Sequence, residues 1–492
     1  MAAVEVLPEV TKFIEAPKMV IGGKSLDAES GEMFDVFNPA TGQVFTQVPR
    51  GGVADVDAAV KAAREAHEDR RWSGLRPGKR TEILYKLGEL VKRNISELAQ
   101  LESLDSGKPV SVASGEMWSV GEVFRYYSGW PTKVFGETNP SGDNLFVYSL
   151  REPIGVCGGI IPWNFPMIMA AWKVAPALAF GNTIVLKPAE QTPLTAIRLG
   201  ELCLEAGVPE GVVNVVTGFG HEAGQALAQH WDVDKIAFTG STEVGRKILH
   251  ASEGNLKRVT LELGGKSPNI VFSDANMKRA IKGSMNGVFL NSGQVCTAGT
   301  RILVEKSVHD DFVSSLLDST AAMKLGDPLE EDTQMGPVVS QEQMERVTGY
   351  IEIGRSEGAE VAVGGARATE LGDGYFVQPT VFTGVRNDMR IAQEEIFGPV
   401  AAVIEVADVD EAIAVANDTI YGLAAAVWTT DVTKAHKVAR GIKAGTVWVN
   451  TAGNVEPSVS FGGYKQSGFG RELGKHSMET YTQTKSVWVN LK

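Results

Sequence analysis

Cys296 stands in the stretch FLNSGQVCTAGTR, residues 289–301, between Gly293 and Thr297. A cysteine in a core behaves as a small hydrophobe. One among Gly, Ser, Gln and Thr is better placed to act as a nucleophile. The chain has only two others: Cys157 lies in an apolar run predicted to be a strand, and Cys203 lies on the apolar face of a predicted helix. Core packing accounts for both, so Cys296 is the candidate thiol. Glu262 sits between two leucines in LELGGKSP. A carboxylate among apolar neighbours is costly unless paired or functional, and burial would raise its pKa towards the range of a general base. Taken alone, it also reads as a strand-edge glutamate reaching solvent. Asn164, in IIPWNFP, is held between prolines. Its amide could be a rigid oxyanion donor or simply an asparagine in a turn.

Three further motifs point to an anion or a nucleotide. The turn GSTEVG, from Gly240 to Gly245, follows the apolar run KIAF and opens a helix. Ser241 there is either an ordinary N-cap or part of a phosphate site, where free N–H groups meet the helix dipole. Arg246-Lys247 stands where a phosphate-loop NTPase needs Lys-Ser/Thr. VLKPAE puts Lys187 and Glu190 at the C-terminal end of a strand, where open α/β sheets hold ligands. A solvated loop is the other reading. TGFGHEAG, with Gly218, Gly220 and Gly224, is one residue off the dinucleotide fingerprint.

These residues need a scaffold. At 492 residues the chain is too long for one core. From Ile154 strand and helix alternate: IGVCGGIIP, a helix closed by Gly181, NTIVLKPAE, a helix closed by Gly207, GVVNVVTG, a helix from about 221, then KIAFTG. That order predicts a mostly parallel sheet covered by helices on both faces. A second series through SPNIVF, RILVEK, PVAAVIEV and GTVWVN predicts a second α/β domain. Upstream, helical spacing covers residues 54–69, and one longer helix is predicted over KRTEILYKLGELVKRNISELAQLESLDSG. Residues 132–152 read as two strands joined by NPSGDN, and residues 480–492 as a terminal strand in need of a partner, one candidate being another subunit.

The net charge of −13 argues against nucleic acid or an anionic membrane as partner. Three cysteines without a CxxC or His/Cys cluster argue against a disulfide framework or a zinc site and favour a reducing compartment. No signal peptide or membrane span is expected, so a cytoplasmic protein without a metal is the expectation.

PWNFP, KPAE, FTGST, LELGGKSP, FLNSGQVCTAGTR, EEIFGPV and FGGYKQSGFGRELG occur in one order over most of the chain. Together they resemble the NAD(P)-dependent aldehyde dehydrogenase superfamily. The resemblance implies a Rossmann-like parallel-sheet cofactor domain (1–132 and 153–262), an α/β catalytic domain (263–467) and a small β oligomerisation arm (133–152 and 480–492). It implies Cys296 as nucleophile, Glu262 as base, the Asn164 amide with the Cys296 N–H as oxyanion donors, and Lys173 and Glu472 as a proton relay. Ile161, Pro162, Trp163, Lys187, Glu190, Gly220, Gly224, Phe238, Thr239, Gly240, Ser241, Leu263, Gly264, Glu395 and Phe397 would hold NAD, with NADP as the other option. Phe165, Met169, Trp172, Val295, Thr297, Val455 and Phe461 would line the substrate tunnel. Their apolar character leans towards an uncharged aliphatic or aromatic aldehyde. Betaine-type, semialdehyde and coenzyme-A-acylating enzymes are the alternatives, and a non-catalytic nucleotide-binding scaffold is the most distant one. A homodimer or homotetramer is implied.

Overall fold

The computed structural model describes residues 5–492. Its first sheet runs, edge to edge, Gly468–Phe469, Arg258–Glu262, Lys235–Thr239, Val156–Ile160, Thr183–Lys187, Val213–Val215, Met19–Ile21 and Lys24–Leu26. The five strands from Arg258–Glu262 to Val213–Val215 pair in parallel, and the outer ones join antiparallel. Val156–Ile160, Thr183–Lys187 and Lys235–Thr239 are buried along their whole length. Such strands have to be largely apolar on both faces, which is why VCGGI, TIVLK and KIAFT are apolar through their centres and do not alternate.

The second sheet orders Glu360–Val363, Thr380–Thr383, Val400–Val406, Arg301–Glu305, Pro268–Val271, Ala424–Trp428 and Thr446–Val449. All its pairings are parallel except that of Glu360–Val363. The two alternating series of the sequence are thus two parallel-sheet layers. A two-stranded ribbon, Met33–Asn38 with Gln43–Pro49, lies outside both.

One expectation needs correction and one open question is answered. The single long helix is two, Pro77–Arg93 and Ile95–Ser106. Asn94 leaves helical geometry at φ −103°, ψ 22°, and its side-chain amide donates to the Leu90 carbonyl, ending the first helix with a local bond. The terminal strand Thr482–Asn490 finds its partner within its own chain. It pairs antiparallel with Leu145–Pro153, from Thr482↔Pro153 to Asn490↔Leu145, and Thr138–Asn139 completes a three-stranded sheet. Trp488 remains exposed on it. Among the described residues no helix is long and apolar enough to cross a membrane.

Candidate active site

The loop that carries Cys296 is fixed by backbone geometry. Asn291, Ser292 and Gly293 are consecutive left-handed residues, with φ of 50°, 56° and 74°. Non-glycine residues hold that conformation only where the surroundings impose it. Here the Asn291 side chain donates to the Asn164 carbonyl at 2.9 Å, the Ser292 hydroxyl to the Gly336 carbonyl at 2.7 Å, and the Val339 N–H to Gln294 Oε1 at 2.9 Å. Gly293 cannot be replaced, because a Cβ there would lie 2.0 Å from the Gly398 carbonyl oxygen.

Asn164 is 5% exposed, and its Nδ2 donates to the Gln294 carbonyl at 2.8 Å. One amide N–H is spent on the cysteine loop and the other is left over. Cys296 is half-buried and lines a cavity of about 660 Å³. Burial, then the charges of Glu395 and Glu262, push its thiol up to about 12. The resting sulfur is therefore a neutral thiol that needs a base before it can attack.

Glu262 ends the strand Arg258–Glu262 at 4% exposure and lines the same cavity. The solvated strand-edge reading fails. Neither carboxylate oxygen has a protein hydrogen-bond partner. Burial, and then the charge of Glu472, raise its pKa well above the carboxylate range. A buried carboxyl with free oxygens is poised to take a proton rather than to hold an ion pair. Behind it, the buried Lys173 Nζ donates to Glu472 Oε1 at 2.7 Å and to Thr239 Oγ1 at 2.7 Å. Glu472 Oε2 also has no partner.

All seven expected tunnel residues, Phe165, Met169, Trp172, Val295, Thr297, Val455 and Phe461, line this cavity. Trp172 and Phe461 meet edge to face, with ring centroids 5.2 Å apart. The sequence reading missed the opposite wall. Val112, Glu116, Ser119 and Val123 line it from the helix Val110–Ser128. Their spacing of four, three and four is one helical face, and that was the available signal. Among the described residues no lysine or arginine lines the cavity, whereas Glu116, Glu122 and Glu456 do.

The expected nucleotide residues gather at the C-terminal ends of the first sheet's parallel strands. Lys187, at the end of Thr183–Lys187, pairs with Glu190 at 3.3 Å. Ile161 donates its N–H to the Lys187 carbonyl. Gly220–Gly224 is a tight π-type turn opening Gln225–Gln229, and open space faces Gly220. Ser241 caps the helix Thr242–Ala251, its Oγ accepting from the Val244 N–H at 3.2 Å, so the bland reading holds for the hydroxyl. Phe238 and Thr239 end the preceding strand, and a Cβ on Gly240 would strike the Phe238 ring.

On the other side, Glu395 Oε1 accepts the Gly265 N–H at 2.9 Å, and burial pushes its carboxyl up to about 7. At Gly264, next to Leu263, a Cβ would lie 2.1 Å from Glu395 Oε2, so any side chain there would displace the Glu395 carboxylate. Trp163, next to Pro162, meets Phe397 edge to face at 5.1 Å, and Phe397 is held at φ 62°. Among the described residues no cluster of His, Cys, Asp and Glu could hold a metal ion.

Residues 26–487 match the sequence profile of the Aldehyde dehydrogenase family. The chain belongs to that family. As a member it is an oxidoreductase acting on aldehydes. It is 51% identical over 490 residues to the mitochondrial aldehyde dehydrogenase of Leishmania tarentolae, covering 99% of this chain and 97% of the relative. It superposes on an NAD+ complex of an aldehyde dehydrogenase from Bacillus cereus with a TM-score of 0.98, at 49% identity and with both chains fully covered. A betaine aldehyde dehydrogenase from Staphylococcus aureus in complex with NAD+ is also similar, with a TM-score of 0.96 at 40% identity, covering 98% of this chain and 97% of that one. The mixed α/β fold with parallel-sheet layers is the fold of these structures.

Proposed function

We propose that the protein oxidises an uncharged aliphatic or aromatic aldehyde to its carboxylic acid with NAD, through a covalent adduct on Cys296. The observation that carries this reading is the juxtaposition of a half-buried thiol and a buried, unpartnered carboxyl on the wall of one apolar cavity. The Cys296 thiol gives up its proton to water, and its Sγ attacks the aldehyde carbon. The oxyanion is held by the Cys296 N–H and the spare N–H of Asn164, each worth about 3 kcal/mol in such a site. NAD, when bound, supplies the hydride acceptor that turns this adduct into a thioester. Glu262 then takes a proton from water, which attacks the thioester and frees the carboxylic acid and the Cys296 thiolate. Lys173 and Glu472 carry that proton away from Glu262.

The NAD site would run from Lys187 and Glu190, as ribose donor and acceptor, past the N-terminus of Thr242–Ala251 to Glu395 and Phe397. The groups present fit a dinucleotide: a carboxylate and an ammonium at the strand end, open space at Gly220 and free helix N–H groups. In this reading residues 1–132 and 153–262 form the cofactor domain and 263–467 the catalytic domain. The arm 133–152 with 480–492 joins subunits of a cytoplasmic homodimer or homotetramer. A cationic aldehyde is the second reading, favoured by Glu456 on the cavity wall, where Glu116 and Glu122 are already paired with Lys108 and Lys92.

Purified protein with NAD and a panel of neutral, cationic and anionic aldehydes of matched length tests this. NADH and acid should form in equal amounts, fastest with neutral aldehydes. A preference for carboxylated aldehydes would refute the substrate class, and acyl transfer to coenzyme A in place of hydrolysis would refute the role of Glu262.

A further inference from the structure

A buried charge cluster lies behind the wall of the aldehyde cavity. Lys108 is fully buried, and its Nζ donates to Glu102 Oε1 at 2.7 Å and to Glu116 Oε2 at 2.5 Å. The same ammonium lies 4.5 Å from the centroid of the Phe165 ring. Glu102 is also fully buried, and its second oxygen accepts the Met167 N–H at 3.2 Å and the Thr195 hydroxyl at 3.4 Å. Asp105, one turn along, accepts the Leu194 N–H at 3.2 Å.

The helix Pro166–Ala179 needs such help. Its first N–H groups have no partners within the helix. Pro166 has none to offer, and the cap residue Phe165 provides no side-chain bond. Glu102 therefore does from another helix what a cap would do locally. The segment it fixes begins at Asn164, two residues before the helix. A buried ion pair is a poor source of net stability, but it gives a fixed position to whatever it binds.

We propose that Lys108, acting through Glu102 and Phe165, is a positioning residue that holds the Asn164 amide in register with the Cys296 loop. This rests on the reading of Asn164 as an oxyanion donor. Lys108 does not touch the aldehyde; its effect is exerted on turnover through Asn164. Glu116 completes the cluster from the helix Val110–Ser128 and brings it to the cavity surface.

The test is a double-mutant cycle on the full-length protein, with kcat and KM measured for a short aliphatic aldehyde. Lys108→Met keeps the stem and removes the ammonium. It should lower kcat about tenfold or more, since small misplacements of a reacting group carry costs of that order, while KM for the short aldehyde stays within about twofold. Lys108→Arg should recover most of the loss. In an Asn164→Ala background, Lys108→Met should cost nothing further, because the group it positions is gone. An equal loss in both backgrounds would mean general structural damage and would overturn the proposal, as would full kcat in the single variant. If Lys108→Met does not fold, Glu102→Gln is put through the same cycle, with the same criterion of non-additivity. If Asn164→Ala itself keeps full kcat, the oxyanion reading fails and takes this proposal with it. Loss in Asn164→Ala with full kcat in Lys108→Met removes the positioning role alone.

Discussion

The state of the Cys296 thiol before cofactor binds can be worked out and measured. With the thiol pushed up to about 12, its thiolate at pH 7.5 is about 3 parts in 100,000, against about a tenth for a free thiol near 8.5. A more basic thiolate is intrinsically more nucleophilic, and with a Brønsted slope of about 0.45 this recovers about fortyfold of the difference. Alkylation by iodoacetamide should thus run about a hundredfold slower than with free cysteine. The sign follows from the direction of the shift: a raised thiol stays protonated through neutrality, so the rate should climb tenfold per pH unit, with no plateau below pH 10. Cys157 and Cys203 are fully buried and also pushed up to about 12, so labelling should stop at one equivalent and vanish in Cys296→Ala. Burial is the largest cause of the shift, Glu395 the next and Glu262 the third. Glu395→Gln should therefore accelerate labelling more than Glu262→Gln does. A plateau near pH 8, or the reverse order of the two variants, would refute this account of the resting site.

Glu262→Gln should leave a rapid burst of NADH and cut the steady state by about 10² or more, since the glutamate acts on the hydrolytic water; a burst lost together with the steady state contradicts that role. NAD should be preferred over NADP by about tenfold or more in kcat/KM, because Glu190 would meet the 2′-phosphate with like charge; a clear NADP preference refutes the assignment. The exposed strand Thr482–Asn490 should make the protein a dimer or a dimer of dimers, so a monomer by light scattering at micromolar concentration contradicts the arm assignment. Deleting residues 482–492 should yield a less stable or aggregating protein, and a fully active monomer would contradict it.

What could be read in the sequence was local. Cys296 stands in a run whose composition makes little sense for packing alone, Glu262 and Asn164 each have an ordinary reading until the motifs are taken together, and the alternation of strand and helix follows from periodicity. What could not be read was whatever depends on distant segments meeting. Nothing near Lys173 announces that Glu472, 299 residues away, will neutralise it at 2.7 Å. The helix ends at Asn94 because of a side-chain bond to the residue four back, which the apolar stripe on either side does not encode. The terminal strand was rightly seen to need a partner, but pairing specificity lies in a register that no periodicity reveals, and its partner proved to be Leu145–Pro153 of the same chain.

The charge cluster at Lys108 is the sharpest case. LESLDSGKP carries two acids and a lysine within seven residues at a helix end, with nothing local to say that they will be buried. Folding removes Glu102, Asp105 and Lys108 from water together, and burying a charge is unfavourable unless it is paired. Lys108 and Glu102 pair with each other and the Met167 N–H meets the second oxygen of Glu102, while Asp105 accepts only the Leu194 N–H and burial raises its pKa well above the carboxylate range. The two backbone mates sit at the starts of the helices Pro166–Ala179 and Leu194–Ala206, and the first of these carries Met169 and Trp172 of the cavity wall. A sequence shows which groups can do chemistry because reactivity belongs to single residues. It conceals which groups hold them still, because that belongs to pairs.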